Sequence, residues 1–152
     1  MYRVDLPPVE AAFSYLEGLT AYGSKPGLSR TRELLRRLGD PQDRLRFVHI
    51  TGTNGKGSTA AMLASVLRHA GYCVGRYTSP ALCAVNEHIC VDDAPISDDE
   101  LAAAVRRTAQ QADAMADHPS EFEFVTAMAL AYFAGRKCDI VVLEVGMGGA
   151  LD

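Results

Sequence analysis

The chain has 152 residues, with 15 Lys and Arg against 19 Asp and Glu and a formal net charge of −4. This balance lacks the positive charge that nonspecific nucleic-acid binding requires, so we expect no nucleic-acid partner. No apolar run reaches the ~18 residues of a membrane span, and residues 1–10 lack the basic head and apolar stretch of a secretion signal. Four cysteines without a CxxC pair favour a cytoplasmic globular protein with buried free thiols.

The first 45 residues carry two helical patterns and no strand pattern. Apolar residues recur at helical spacing after Pro8. A turn rich in Gly and Pro at 22–27 precedes a second helix, which Ser29 is expected to cap. Residues 39–41, Gly-Asp-Pro, end that helix. We therefore predict that residues 1–45 form a helical lead-in to the rest of the chain.

From residue 47 onwards, apolar strand patterns alternate with helical patterns. The strand patterns are Phe47–Ile50, Cys73–Tyr77 and Asp139–Val145, the last apolar on both faces as buried parallel strands are. The helical patterns are 60–69, 97–117 and 120–135, and the last two begin with the capping boxes SDDE and SEFE. This alternation predicts an α/β fold with a mostly parallel sheet flanked by helices. Residues 79–95 are expected to be irregular, with at most a short extended piece at 88–91.

The chain stops where another loop and helix are expected. Only about three strand patterns are present, fewer than an average sheet contains. Residues 148–152 follow directly after the last of them. We therefore expect the chain to be the front part of a longer protein.

Residues 51–58, TGTNGKGS, lie between a predicted strand and a predicted helix. Glycines let backbone N–H groups point inward, and a helix N-terminus adds positive potential, so the stretch suits a phosphate. Lys56 can reach terminal phosphates, and a hydroxyl beyond it can bind Mg²⁺. The strict GxxxxGK[ST] pattern fails, because Ile50 replaces the first glycine and Gly57 separates Lys56 from Ser58. A turn that binds nothing is the alternative, but the order of strand, glycines, lysine, hydroxyl and helix predicts a phosphate loop.

Glu144 ends the apolar strand pattern IVVLE. Ligands of open α/β sheets gather at the C-terminal ends of strands, so this carboxylate is expected to face the phosphate loop. It could bind Mg²⁺ directly or through water, as an acidic residue after an apolar strand does in P-loop enzymes. The alternative is a solvated glutamate at a strand end, and the neighbouring phosphate loop favours the metal role.

Five segments, in order, resemble the amino-terminal part of the folylpolyglutamate synthase/dihydrofolate synthase family, within the Mur ligase superfamily of ATP-dependent amide ligases. They are KPGLSRTRELLRRLG, HITGTNGKGSTAAMLASVLRHAGYCVGRYTSP, SPALCAVNEHICV, EFEFVTAMALAYF and DIVVLEVGMGGALD. The resemblance covers nearly the whole chain. It implies that residues 1–152 are an incomplete ATP-binding domain of the Mur ligase central type, with a carboxy-terminal ligase domain beyond them.

The resemblance implies a carboxylate–amine ligase that uses ATP and Mg²⁺ to add L-glutamate to dihydropteroate or to tetrahydrofolate and its glutamates, through an acyl phosphate. Lys56 and Glu144 would be the catalytic residues. The residues that would bind ATP are Gly52, Thr53, Asn54, Gly55, Lys56, Gly57 and Ser58. Those that would bind Mg²⁺ are Ser58, Ser79 and Glu144. Those around the pterin substrate would be Lys25, Pro26, Gly27, Leu28, Ser120, Glu121, Phe122, Glu123, Leu151 and Asp152.

Two features of these segments leave alternatives open. Glu123 suits a helix cap as well as a substrate site, because a Glu three residues after a capping serine satisfies backbone N–H groups. The family usually has His, Arg and Arg where this chain has Ala81, His88 and Ala150. Two arginines that could pair with phosphates or carboxylates are therefore replaced.

Two other functions are compatible with parts of the sequence. One is a truncated or degenerate P-loop module that binds a nucleotide without ligase activity, and we expect the 152-residue chain alone to be inactive. The other is a cell-wall ligase that adds an amino acid to a UDP-sugar peptide. The segments Lys25–Leu28 and Asn86–Glu87 favour the folate family over this ligase.

Overall fold

A computed structural model describes residues 1–23, 25, 27–78 and 85–146. The chain divides into two units. We call Met1–Pro41 with Ser97–Tyr132 the helical unit, and Gln42–Ile96 with Phe133–Asp152 the sheet unit. Among the described helices, none combines the length and the apolar character that crossing a membrane requires. The predicted boundary of the helical lead-in at residue 45 stays a prediction.

The secondary structure follows the predicted alternation of helices and strands. The helices are α1 (Pro8–Gly18), α2 (Ser29–Arg37), α3 (Lys56–His69), α4 (Asp98–Ala112) and α5 (Glu121–Gly135). The strands are β1 (Phe47–Ile50), β2 (Val74–Tyr77), β3 (Ile89–Val91), β4 (Ala94–Pro95) and β5 (Ile140–Glu144). Short 3₁₀ turns cover Leu19–Ala21, Pro41–Arg44 and Val85–His88.

Helices α1 and α4 pack against each other in the helical unit. Many of the buried positions on these two helices are alanines, which let the helix backbones approach closely. The largest fully buried side chains of this unit are Leu19, Leu34, Leu101, Val105, Phe124 and Met128. The apolar spacing seen in the sequence therefore marks the faces that form the core.

Helix ends differ in part from the sequence predictions. Ser97 caps α4 in a complete capping box with Glu100, as predicted. The prediction that Ser29 caps α2 is wrong, because Ser29 is already the first helical residue. Leu28 holds the cap position instead, and its carbonyl accepts a hydrogen bond from Arg32 N–H at 2.9 Å. Helix α4 ends at Ala112 rather than near residue 117.

The sheet unit contains a five-stranded sheet in the order β1-β5-β2-β3-β4. The pairs β1–β5 and β5–β2 are parallel, whereas β3 is antiparallel to β2 and β4 is antiparallel to β3. The prediction of about three strands therefore missed β4 and understated β3. Their hairpin turns at Asp92 and Asp93, both with positive φ. Such turns usually carry Asn-Gly or Asp-Gly, so two aspartates gave no clear signal.

The core of the sheet unit forms where α3 packs on the sheet. Its buried residues are Ala60, Ala64, Val74 and Val142, with Ile50, Leu63 and Leu67 packed around them. The cysteines Cys73, Cys90 and Cys138 are free thiols, as expected, and Cys83 lies outside the described residues. Burial raises the pKa of the Cys138 thiol to about 12.

Gly75 in β2 lets a helix side chain approach the strand closely. A Cβ atom at this position would lie 2.8 Å from Cδ1 and 2.9 Å from Cγ of the Phe133 ring. Phe133 is itself completely buried, so its ring has little room to move away. This position of the strand therefore requires glycine.

We expect Gly75→Ala to lower the free energy of unfolding by about 1–3 kcal/mol, the usual cost of overpacking a core. The measurement is urea unfolding followed by circular dichroism. Gly135→Ala is the matched control, because no heavy atom lies within 4 Å of a Cβ built there. Unchanged stability of Gly75→Ala would contradict the packing of Phe133 on β2.

Candidate functional site

The phosphate loop joins β1 to α3, and glycines set its course. Gly55 occupies the cap position of α3 in the left-handed conformation, with φ 75° and ψ 8°. This turn starts α3 at Lys56, four residues earlier than the helical pattern at 60–69 indicated. Glycine has no side chain that could accept from the first-turn N–H groups, so these donors can serve an anion. The loop therefore has the backbone of a phosphate site.

Lys56 lies across the loop that precedes it. Its Nζ donates to the carbonyl oxygen of Gly52 at 3.0 Å. The carbonyl of Gly55 accepts from both the N–H and the Oγ1 of Thr59, at 3.0 and 2.9 Å. Ser58 is exposed on the first turn of α3. An ammonium group and an exposed hydroxyl thus flank the row of N–H donors.

Glu144 lies beside the phosphate loop, as predicted from its place at a strand end. Parallel pairing sets it opposite Ile50, the last residue of β1, and Val145 N–H donates to the Ile50 carbonyl at 2.9 Å. Val142, two residues earlier, packs in the α3 core, so the alternation of the strand directs Glu144 to the same face. A Cβ on Gly57 would lie 3.8 Å from Glu144 Oε2. The carboxylate is therefore held against the first turn of α3.

The residue types at this position fit Mg²⁺. The Ser58 hydroxyl and the Glu144 carboxylate are hard oxygen donors, and Mg²⁺ in nucleotide sites usually takes few protein ligands together with phosphates and water. Within the described part of the chain, no group of three or more His, Cys, Asp or Glu could hold a metal ion. Ser79, the third candidate ligand, lies outside the described residues.

The first predicted substrate segment precedes α2 in the helical unit. Lys25 Nζ donates to Asp117 Oδ1 at 2.7 Å, and this hydrogen bond lowers the pKa of the Asp117 carboxyl. Gly27 has a φ of 105°, a conformation that favours glycine. Leu28 then occupies the cap position of α2. Pro26, Leu151 and Asp152 were also predicted substrate residues and lie outside the described residues.

The second predicted substrate segment opens α5, and its four residues divide into two pairs. Ser120 and Glu123 are buried, whereas Glu121 and Phe122 are exposed. Glu123 Oε2 accepts from Ser120 N–H at 2.8 Å and from Ser120 Oγ at 2.7 Å. Ser120 Oγ in turn lies 3.4 Å from the Glu123 N–H that it caps. The capping box predicted at this helix start is therefore present.

Arg30 is the residue of this region that sequence reasoning missed. It is 5% exposed, and its guanidinium group pairs with the Glu123 carboxylate, with Nη2 2.7 Å from Oε2. Arg30 stands four residues before the buried Leu34 on α2, so both lie on the same helix face. An arginine within an apolar stripe was the sequence signal that could have found it.

Two polar residues of the loop before β3 have structural contacts. Asn86 Nδ2 donates to the Ile96 carbonyl at 2.9 Å. His88 Nδ1 lies 2.9 Å from the Thr78 carbonyl, and Glu87 is exposed. Asn86 and His88 therefore help to order the chain around β3. Ala81 and Ala150, the other departures from the family pattern, lie outside the described residues.

The fold and the loop define the class of this protein. A parallel strand, a glycine turn with a left-handed residue, a lysine and a helix follow one another as in a P-loop α/β fold. The sheet is mixed and flanked by helices, with the loop at the C-terminal end of β1. Comparisons with known proteins then place this domain more narrowly.

The chain is 44% identical over 146 residues to the dihydrofolate synthase/folylpolyglutamate synthase of Bacillus subtilis (strain 168), covering 93% of this chain and 34% of that protein. It superposes on an FPGS–AMPPCP–folate complex with a TM-score of 0.87 and 38% identity, covering 95% of this chain and 36% of that one. Against Mycobacterium tuberculosis folylpolyglutamate synthase complexed with ADP, the TM-score is 0.87 and the identity 34%, covering 96% of this chain and 34% of that one. No family model matches the chain.

These similarities confirm the resemblance that the motifs indicated. The chain is similar over nearly its whole length to the amino-terminal part of folylpolyglutamate synthase/dihydrofolate synthases. It spans about a third of the length of the Bacillus subtilis and Lacticaseibacillus casei relatives.

The left-handed turn before α3 yields a stability prediction. We expect Gly55→Ala to lower the free energy of unfolding by about 1–2 kcal/mol, because a Cβ is disfavoured in this conformation. Gly57→Ala, two residues later, is the control. Its Cβ would meet nothing closer than 3.8 Å, and alanine is favoured over glycine in a helix. Thermal unfolding without nucleotide measures both, and equal effects of the two substitutions would contradict the turn geometry.

Proposed function

We propose that this chain forms the nucleotide-binding part of a cytoplasmic ATP-dependent ligase that joins L-glutamate to dihydropteroate or to folates. The observation that carries the proposal is the position of Glu144 against the first turn of α3, beside Lys56 and the phosphate loop. The similarity to an FPGS–AMPPCP–folate complex over 95% of this chain supports the choice of substrates. The remaining two thirds of the relatives' length would supply further parts of the site.

ATP would bind through its phosphates to residues 52–58. The first-turn N–H groups of α3 and the helix dipole attract negative charge, and glycines let the phosphates approach the backbone. Lys56 would exchange its hydrogen bond to the Gly52 carbonyl for the γ-phosphate. This exchange replaces a bond to a neutral acceptor by a stronger one to a charged acceptor.

Ser58, Ser79 and Glu144 would hold Mg²⁺. When bound, the ion neutralises charge on the phosphoryl oxygens of ATP. Because Glu144 is 7% exposed, its negative charge is weakly screened by solvent. This burial favours a cation at the carboxylate and disfavours a phosphate without one.

The reaction would proceed in two steps. A carboxylate oxygen of the pterin substrate attacks the γ-phosphorus of ATP, so an acyl phosphate forms and ADP leaves. The amine of L-glutamate then attacks the acyl carbon, an amide forms, and inorganic phosphate leaves with the loss of a proton from nitrogen. Lys56 would stabilise the charge that moves through the phosphoryl oxygens. Catalysis would also require the protein to hold the carboxylate, the phosphate and the amine in line.

The pterin substrate would be held by the two segments of the helical unit that the resemblance indicated. Lys25 and the turn before α2 form one of them, and the start of α5 forms the other. Within the second segment, the exposed Glu121 and Phe122 would contact substrate directly. The buried Ser120 and Glu123 would support them.

Removing the lysine of the phosphate loop tests nucleotide binding. We expect Lys56→Ala to weaken Mg·ATP binding by roughly 10- to 100-fold, the value of a hydrogen bond between charged groups. Isothermal titration calorimetry on this chain measures the Kd. Lys137→Asn is the control, because it removes the same charge from the turn before β5, where φ is 56° and asparagine is tolerated. A folded wild-type chain without saturable Mg·ATP binding would contradict the proposal.

The role of Glu144 is tested through the metal dependence of binding. In the wild-type chain we expect Mg²⁺ to tighten ATP binding. In Glu144→Gln, the factor by which Mg²⁺ tightens ATP binding should be smaller by about tenfold or more. Binding of metal-free ATP should not weaken, because the substitution removes a negative charge beside the phosphates. Glu17→Gln on α1 is the control, since this glutamate is exposed in the helical unit. Equal dependence on Mg²⁺ in wild type and Glu144→Gln would rule out the metal role.

A further inference from the structure

Arg30 is the centre of a buried polar network in the helical unit. Its Nε donates to Glu123 Oε1 at 3.2 Å, and Nη2 lies 2.7 Å from Oε2 of the same carboxylate. The Arg30 side chain is 5% exposed and that of Glu123 is 10% exposed. Taking both charges out of water is costly, and only a well-satisfied geometry offsets that cost. Each of the two Glu123 oxygens and each of the three Arg30 nitrogens has at least one partner.

The remaining donors of Arg30 reach two chain segments that the ion pair does not include. Nη2 donates to the Gly23 carbonyl at 3.2 Å, and Nη1 donates to the His118 carbonyl at 3.2 Å. The planar guanidinium fork thus connects the loop before α2, the loop before α5 and the first turn of α5. Lysine could not make these contacts together, because its single ammonium group lacks the fixed fork of donors.

Two further contacts join the same loops close to Arg30. The ring of Tyr22 stacks on that of His118, with centroids 4.0 Å apart and an interplanar angle of 17°. Lys25 donates to Asp117 at 2.7 Å, and this pair is exposed. An exposed ion pair contributes little by itself. The buried contacts of Arg30 and the ring stack are therefore the contacts that we expect to order these loops.

Both carboxylate oxygens of Glu123 are engaged by this network and by the cap. Oε2 accepts from the Ser120 N–H, from the Ser120 hydroxyl and from Arg30, and Oε1 accepts from Arg30. Such a carboxylate has little capacity left for a substrate. Its neighbours Glu121 and Phe122 remain exposed.

We propose that Arg30 is a positioning residue, which acts through Glu123 and the Gly23 and His118 carbonyls to hold the two predicted pterin-binding segments at a fixed spacing. The inference rests on the proposed function. It assigns Glu123 to support and leaves direct substrate contact to exposed residues of the same segments. Since none of the network belongs to the phosphate loop, the spacing should affect pterin binding and not nucleotide binding.

The test compares Arg30→Lys with Arg37→Lys in this chain. Both variants make the same substitution on α2, but Arg37 pairs with Glu33 on the exposed side of the helix. We expect Arg30→Lys to increase amide hydrogen exchange at Tyr22, Gly23, His118 and 120–123. It should also weaken binding of 7,8-dihydropteroate by about tenfold or more, the effect of losing a charged hydrogen bond. The Kd for Mg·ATP should stay within about twofold of wild type, and Arg37→Lys should change none of these values.

Glu123→Gln and the double variant complete the experiment. Gln keeps an acceptor for Ser120 but loses the charge that pairs with Arg30, so we expect a similar loss of dihydropteroate affinity. If Arg30 and Glu123 act through their mutual contact, the double variant should lose less dihydropteroate binding free energy than the two single variants lose together. Full additivity would overturn the inference. So would an Arg30→Lys chain that exchanges faster but binds dihydropteroate as the wild type does.

The failure of this inference can be told apart from the failure of the proposed function. A wild-type chain that binds Mg·ATP through Lys56 but not dihydropteroate would overturn the positioning role and leave the nucleotide site standing. A wild-type chain that binds neither ligand would overturn both. Thermal unfolding of every variant shows whether a lost affinity reflects a lost fold.

Discussion

Parallel pairing of β1 with β5 determines where the chemistry of this chain can take place. Both strands end at the same edge of the sheet, and Ile50 stands opposite Glu144. The chain leaving β1 therefore enters the phosphate loop beside the carboxylate. Because side chains alternate along a strand, a register shift of one residue would turn Glu144 away from α3. Val142 sets the register by packing in the α3 core, so apolar packing holds an acidic group where a nucleotide would need it.

The loops of the helical unit are ordered in a different way, because the described sheet lies in the sheet unit. A buried ion pair orders these loops. Removing one partner of such a pair usually lowers the free energy of unfolding by about 3–5 kcal/mol, because the other charge is left buried and uncompensated. The guanidinium group of Arg30 also donates to two loop carbonyls, those of Gly23 and His118. At the start of α5, polar contacts therefore act together with the apolar packing of the buried Phe124.

Much of the fold followed from local patterns. Apolar spacing and capping boxes placed α4 and α5, and the apolar strand patterns predicted β1, β2 and β5. The β3–β4 hairpin was harder to predict, because its strands have three and two residues and two aspartates form its turn. The start of α3 was also missed, since glycines oppose a helix in isolation while the left-handed turn at Gly55 begins one.

The sequence by itself determined the phosphate loop, the strand that carries Glu144 and the order of the elements, because these depend on neighbouring residues and on hydrophobic period. It could not decide whether Glu123 caps a helix or contacts a substrate, since a Glu at that spacing suits both. Only the tertiary structure brought Arg30 to Glu123, 93 residues away in the chain. Burial makes that pairing specific, because a charge removed from water must find its partner wherever the fold provides one.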